Sequence, residues 1–93
     1  IEISSIEDIQ DWNKFLEESD AYSVKYDIDN GVLRFYFSFD LDKYVISFDL
    51  DNKSASLHSM RSAPFRYELL HSSDLGEFID MLRIDGLKSM LSY

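Results

Sequence analysis

One stretch of the chain decides its fold: residues 22–50, YSVKYDIDNGVLRFYFSFDLDKYVISFDL. Apolar and polar side chains alternate along this stretch with a period of two, which is typical of strands that bury one face. Asn30-Gly31 interrupts the alternation. This pair is the strongest short signal for a two-residue hairpin turn, because both positions tolerate a positive φ. The stretch therefore predicts consecutive antiparallel hairpins.

The apolar pattern also predicts a strand register. A two-residue loop at Asn30-Gly31 sets Tyr26 beside Phe35, and a second turn over residues 40–43 sets Phe48 on the other side of Phe35. Every inward residue then faces another inward residue, whereas a slip by one position would turn the whole set to water. We therefore expect an antiparallel meander in which Tyr26 and Phe48 flank Phe35.

Helical periodicity replaces this alternation at both ends of the chain. Residues 5–19 carry apolar side chains at steps of three and four, behind a capping box made by Ser4 and Glu7. Trp12 lies in that apolar stripe, and we expect it to be a core residue. A second helix is predicted to begin after Asp74 as its N-cap and to be interrupted at Gly86.

Two segments lie between the second hairpin and the last helix. Residues 54–60 are predicted to form a weaker strand with Ala55 and Leu57 inward, and Pro64 ends it. Residues 66–71 fit either a short strand or a helical turn. The predicted fold is α+β. It is a two-layer sandwich made of an N-terminal helix, a four-stranded antiparallel meander and a C-terminal helix or helices on the same face.

The composition limits the class of protein. The chain has 93 residues with 18 acidic and 9 basic side chains, giving a net charge of −9, and its length predicts one domain over residues 1–93. Phosphate backbones and anionic membranes repel such a surface, so we expect neither nucleic acid nor a membrane as a partner. The absence of cysteine excludes disulfides and thiolate chemistry.

The predicted register also creates a candidate partner-binding surface on the solvent face of the sheet. Arg34 would lie between the carboxylates of Asp27 and Asp49. It would either form a surface ion-pair ladder with them or present an oriented guanidinium to a carboxylate of the partner. Apolar side chains nearby would form a modest exposed patch. The candidate partner-binding residues are Tyr36, Val45, Met60, Arg34, Asp27 and Asp49.

The sequence contains little that suggests catalysis. His58 is predicted to lie on the outer face and His71 in a loop, without an activated nucleophile near either. Three Asp-x-Asp pairs, Asp27/Asp29, Asp40/Asp42 and Asp49/Asp51, could bind a divalent cation, but the segment at residues 27–31 lacks the third ligand and the distant Glu of a calcium loop. We therefore expect a protein that is not an enzyme, with no catalytic residue, no metal site and no cofactor.

Several segments together resemble a known family. They are a leading helix with Phe15-Leu16, the strands VLRFYF (residues 32–37) and YVISFDL (44–50), the exit Ser62-Ala63-Pro64-Phe65, and the closing helix DLGEFIDMLR (74–83). Over residues 15–91 the chain resembles RWD-like kinetochore domains, namely the C-terminal globular domains of the small spindle-pole-component subunits of the outer-kinetochore complex. The resemblance implies a non-enzymatic domain that pairs with a sister domain and receives peptides.

Two hypotheses about function follow. The first is a protein–protein interaction module in a chromosome-segregation or kinetochore assembly, in the nucleus, whose partner is a sister subunit or target protein. The alternative is a small acidic inhibitor in a host cytoplasm, such as a phage anti-defence protein, a nucleic-acid mimic or a toxin-immunity protein, which blocks a basic site on its target. Steep loss of binding with added salt would favour the inhibitor.

Overall fold

The protein, described by a computed structural model over residues 9–60 and 67–91, folds as one sheet with two helices. The elements are α1 (Ile9–Glu18), β1 (Tyr22–Asp29), β2 (Val32–Phe39), β3 (Asp42–Asp49), β4 (Ser54–Ser59), β5 (Tyr67–Ser72) and α2 (Leu75–Leu91). The strands form an antiparallel meander in the order β1-β2-β3-β4-β5. The predicted α+β class is confirmed, with five strands instead of four. The Ser4/Glu7 capping box and the Pro64 strand exit lie outside the described residues.

The first hairpin has the predicted register near its turn. Asn30 and Gly31 have φ values of 52° and 77°, as a type I′ turn requires, and Tyr26 pairs with Phe35. A Cβ at position 31 would meet the carboxylate of Asp51 in the neighbouring turn, so that this exposed side chain would have to move. Further along β1 the register shifts at a bulge next to Ser23, whose φ is 55°.

The register of the second hairpin differs from the prediction by two residues. Its turn contains only Asp40 and Leu41, both at positive φ, so that Phe39 pairs with Asp42. Phe35 consequently pairs with Tyr26 on one side and with Ile46 on the other, and the prediction that Phe48 pairs with it is wrong. Because the error is an even number of residues, each side chain keeps its predicted face.

The segment between β4 and the last helix, for which the sequence left two possibilities open, forms the strand β5. The segment that fitted either a strand or a helical turn pairs with β4, with Leu57 beside Leu70 and Ala55 beside Ser72. A register shift next to His58 accommodates one extra residue of β5, as a β-bulge does. The predicted inward residues of β4 are confirmed, since Ala55 and Leu57 are both buried.

Both helices pack their apolar stripes against the same face of the sheet, called the inner face below. Phe48 is the centre of an aromatic cluster: its ring lies 5.3 Å from Trp12 of α1, 5.8 Å from Phe78 of α2 and 6.1 Å from Phe35 of β2. The contacts with Phe78 and Phe35 are edge-to-face, a favoured geometry for aromatic pairs. Trp12 is 1% exposed, so its prediction as a core residue is confirmed.

Hydrogen bonds and backbone angles mark the end of α1, the start of α2 and a break within α2. At the end of α1 the Ala21 N–H donates to the Leu16 carbonyl and the Asp20 N–H donates to the Glu17 carbonyl, with Asp20 at φ 73°. This is a Schellman cap. Asp74 is the predicted N-cap of α2, because its Oδ1 accepts the Glu77 N–H at 3.1 Å. Gly86 breaks the helical geometry of α2 with φ 83° and ψ 157°, as expected.

Candidate interaction surface on the outer sheet face

The side of the sheet that points away from both helices is called the outer face. Strand alternation places all six candidate residues on it, because direct cross-strand partners share a face. Tyr36 pairs with Val45, and Asp27 pairs with Arg34. Met60 follows β4, and its backbone N–H donates to the Lys43 carbonyl at 2.8 Å. The predicted face is therefore observed, while the contacts within it differ from the prediction.

Arg34 contacts one of its two predicted carboxylates. Its Nη1 lies 4.0 Å from Asp27 Oδ1, which is the outer limit for an ion pair, and the two side chains are 28% and 55% exposed. On the other side Arg34 pairs with Ser47 rather than with Asp49. The two-residue shift of the second hairpin moves Asp49 opposite Val32, so the predicted Arg34–Asp49 contact is wrong.

Asp49 instead holds the turn between β3 and β4. Its Oδ1 accepts the Asn52 backbone N–H at 3.0 Å and its Oδ2 accepts Asn52 Nδ2 at 2.8 Å. These two hydrogen bonds, the backbone one first, lower the pKa of the Asp49 carboxyl below its ordinary value, because donors stabilise the charged form. Asp49 therefore has a structural role at the turn.

Val45 lies on the outer face but is not available to a partner. It is 0% exposed, and it lies between its cross-strand partners Tyr36 on β2 and His58 on β4. The prediction that Val45 forms part of an exposed patch is wrong for this reason. The sequence could have placed Val45 between Tyr36 and His58 only if the register of β3 had been predicted correctly.

Tyr36 and Met60 line a groove of about 210 Å³ at the end of the sheet where β1 begins and β4 ends. Two lysines, Lys25 and Lys43, also line it. The remaining lining residues are Ser23, Phe37, Ser38 and Tyr44. None of the lining residues is acidic, which sets this groove apart in a chain with a net charge of −9.

A second polar group on the outer face was missed by the sequence analysis. Glu68 Oε1 lies 3.7 Å from His71 Nδ1 and 4.0 Å from His58 Nε2. Among the described residues, none hydrogen-bonds to His58 Nδ1, which is buried. The sequence alone did not reveal this group, because Glu68 comes beside His58 only when β5 pairs with β4. Over residues 9–60 and 67–91, no cluster of three or more histidine or carboxylate side chains has the geometry to hold a metal ion.

The exposed side of α2 carries a different surface. A depression of about 440 Å³ runs along the helix around Met81 and Ile84, and Ile84 is 82% exposed. Its acidic lining residues are Asp74, Glu77, Asp80 and Asp85. The two concave surfaces thus have opposite charge: lysines line the groove on the sheet, and carboxylates line the depression on α2.

Among the described residues, neither helix is long and apolar enough to cross a membrane. Comparison of the chain with protein-family models, with curated proteins and with solved structures gives no match. The assignment of function therefore depends on the geometry described above.

Proposed function

We propose that the protein is a non-enzymatic protein–protein interaction module, and that its outer face receives an extended segment of a partner protein at the groove lined by Tyr36 and Met60. The observation that carries this proposal is a partly apolar groove that is lined by two lysines and by no acidic residue, on a sheet face that points away from both helices. Antiparallel sheets commonly leave one face to solvent, and an exposed apolar patch on such a face is a candidate interaction site.

The size of the groove favours a peptide side chain over a substrate. Small-molecule sites typically enclose about 300–1,000 Å³ and converge a few polar groups on the ligand, whereas this groove measures about 210 Å³. Lys25 and Lys43 would attract carboxylates. The best-fitting partner is therefore a segment with one apolar side chain flanked by acidic residues.

The order of elements supports a role in a larger assembly. A leading helix, an antiparallel meander and a closing helix is also the order that the resemblance to RWD-like kinetochore domains implies. Those domains receive peptides, which agrees with the peptide groove proposed here. We accordingly propose a chromosome-segregation or kinetochore assembly as its setting.

The test is peptide selection on the immobilised domain from a random peptide display library. We expect the selected peptides to carry an apolar residue beside Asp or Glu, and to lose binding to the double variant Tyr36→Asp/Met60→Asp. Ile84→Asp is the control, because it also introduces a carboxylate, one instead of two, at an exposed apolar residue away from the groove. Peptides that bind the double variant as tightly as the wild type would contradict the proposal. Val45 is left unchanged in this test because it is buried.

A second function, the acidic inhibitor, is favoured by one observation: four carboxylates surround the depression along α2. A basic cleft or helix of a target would fit this surface. The salt dependence of binding to the natural target distinguishes the two functions. The inhibitor predicts affinity that falls steeply with salt and is lost in Glu77→Lys/Asp80→Lys, whereas the peptide module predicts loss only in the groove variant.

A further inference from the structure

β1 forms an edge of the described sheet, since it is first in the strand order. It is exposed along its whole length except at Val24. Its inward-facing side is also incompletely covered, with Tyr26 53% and Ile28 44% exposed. Exposed edge strands are templates for pairing with another strand, so the question is which strand fits this edge.

The hydrogen-bond phase of β1 follows from its turn. Residues that flank a two-residue loop exchange backbone hydrogen bonds, and hydrogen-bonded pairs then alternate along the ladder. Asp29 flanks the loop and pairs with Val32, so the backbone groups of Asp29, Asp27 and Lys25 point to β2. Those of Tyr26 and Ile28 point away from β2, toward the side on which the described residues place no further strand, whereas Val24 lies within the register shift next to Ser23.

We propose that β1 pairs antiparallel with β1 of a second copy of this chain, with the two-fold axis at Tyr26. In this register Tyr26 pairs with Tyr26 of the second copy, and Val24 pairs with Ile28 of the second copy at both ends. Tyr26 and Ile28 have outward-pointing backbone groups, so the central pair forms without rearrangement of the existing ladder, while the bulge next to Val24 marks the end of the paired stretch. The two sheets would join into one continuous sheet.

Charge complementarity supports this register. On the outer face it sets Lys25 of each copy directly opposite Asp27 of the other, twice by symmetry. These are non-hydrogen-bonded positions, where opposing side chains come closest, and opposite charges there stabilise the pairing. The exposed apolar side chains of Tyr26 and Ile28 meet their partners on the opposite side.

The neighbouring registers with the same hydrogen-bond phase are less favourable. The nearest ones, with the axis at Lys25 or at Asp27, set Lys25 opposite Lys25 or Asp27 opposite Asp27 of the second copy, and an axis at Ile28 sets Asp27 opposite Asp29; all of these are like charges. An axis at Val24 would run the pairing through the bulge at Ser23, where the strand is irregular. The pairing at Tyr26 is therefore the one that both the backbone and the side chains of β1 favour.

The test is analytical ultracentrifugation of the full chain across a concentration series. The wild type is expected to sediment as a monomer–dimer equilibrium. Lys25→Asp and Asp27→Lys each place like charges in both cross-strand positions, so each variant alone is expected to self-associate at least about tenfold more weakly. An equimolar mixture of the two variants restores opposite charges at every position, and is expected to form a heterodimer at least as tight as the wild type.

This pair of variants also separates register from general charge. Asp27→Lys makes the chain less negative and Lys25→Asp makes it more negative, so a general charge effect would shift their self-association in opposite directions. A weaker dimer for both and a restored dimer in the mixture would support the proposal. A wild type that stays monomeric up to about 1 mM, or a mixture that associates no better than the single variants, would overturn it.

Tyr26→Pro provides an independent variant. Proline removes an N–H that points away from β2, so the existing ladder is retained, as proline is tolerated at such edge positions. We expect a folded monomer, with the folded state checked by circular dichroism and by the urea midpoint. A folded Tyr26→Pro variant that still dimerises like the wild type would overturn the proposal.

Discussion

The two faces of the same sheet are built differently. On the inner face, Phe35 and Phe48 are both 0% exposed, and Phe48 contacts both helices through aromatic rings. On the outer face, Arg34 and Asp27 form a solvent-exposed ion pair at 4.0 Å, and a groove lies open beside Tyr36. The difference indicates that the inner face contributes most of the stability of the domain, and that packing constrains the side chains of the outer face less.

The largest expected effect lies on the inner face. Phe48→Ala removes a ring that joins Trp12, Phe35 and Phe78, and such large-to-small changes in a core cost about 3–5 kcal/mol. We expect the free energy of unfolding, measured by urea denaturation, to fall by that amount. Because the total free energy of unfolding of a small domain is only about 5–15 kcal/mol, a large part of the variant should be unfolded.

The matched control for Phe48→Ala is an outer-face aromatic. Tyr36→Ala should cost clearly less, about 1 kcal/mol, because its side chain is only partly buried and lies outside the main core. If both variants lose the same free energy of unfolding, the two faces contribute equally to stability, and the contrast drawn between them is wrong.

The assignment of residues to faces was predictable, whereas the register of the second hairpin was not. The alternating pattern through residues 32–50 fixes the faces whatever turn joins the strands. The turn at Asp40-Leu41 gave no sequence signal, because Leu41 adopts φ 71° while 90% exposed, and left-handed backbone at leucine is uncommon. A shorter turn than predicted therefore moved the register by two.

The sequence predicted which residues share the outer face, but not the contacts between them that depend on the strand register. Tyr36 and Met60 lie together on one groove, as their common face suggested. Asp49 was assigned to the wrong partner because its position depends on the second turn. Glu68 could not be placed beside His58, since the short segment that carries it fitted a helical turn as well as a strand.

Val45 is the residue that would sharpen the comparison most. It belongs to the outer face, yet it is 0% exposed between its cross-strand neighbours Tyr36 and His58. Val45→Ala should therefore lower the free energy of unfolding by about 1–3 kcal/mol, as expected for loss of buried apolar surface. Urea denaturation beside Ser47→Ala, a partly buried residue on the same strand and face, measures the effect. Equal small losses would mean that Val45 is not a packed residue.

Asp49 gives the smallest expected effect, because it is a partly exposed carboxylate beside a turn on the outer face. Hydrogen bonds from Asn52 lower its pKa below the ordinary value of 3.8, so folding favours the charged form. That contribution to stability is present above the unfolded pKa and is lost as the pH falls through the lowered native value. Asp49→Asn should therefore be less stable than the wild type at about pH 7, with a difference that shrinks as the pH approaches about 2.

Asn52→Ala sets the scale for this pH effect. It removes the 2.8 Å side-chain bond but keeps the Asn52 backbone N–H, and the backbone bond is the larger cause of the lowered pKa. Its loss of stability at about pH 7 should therefore be smaller than that of Asp49→Asn, and should also fade in acid. Urea denaturation at several pH values measures both. A difference from the wild type that stays constant with pH would mean that the carboxylate charge is not what stabilises the turn, and that this end of the outer face contributes through backbone geometry alone.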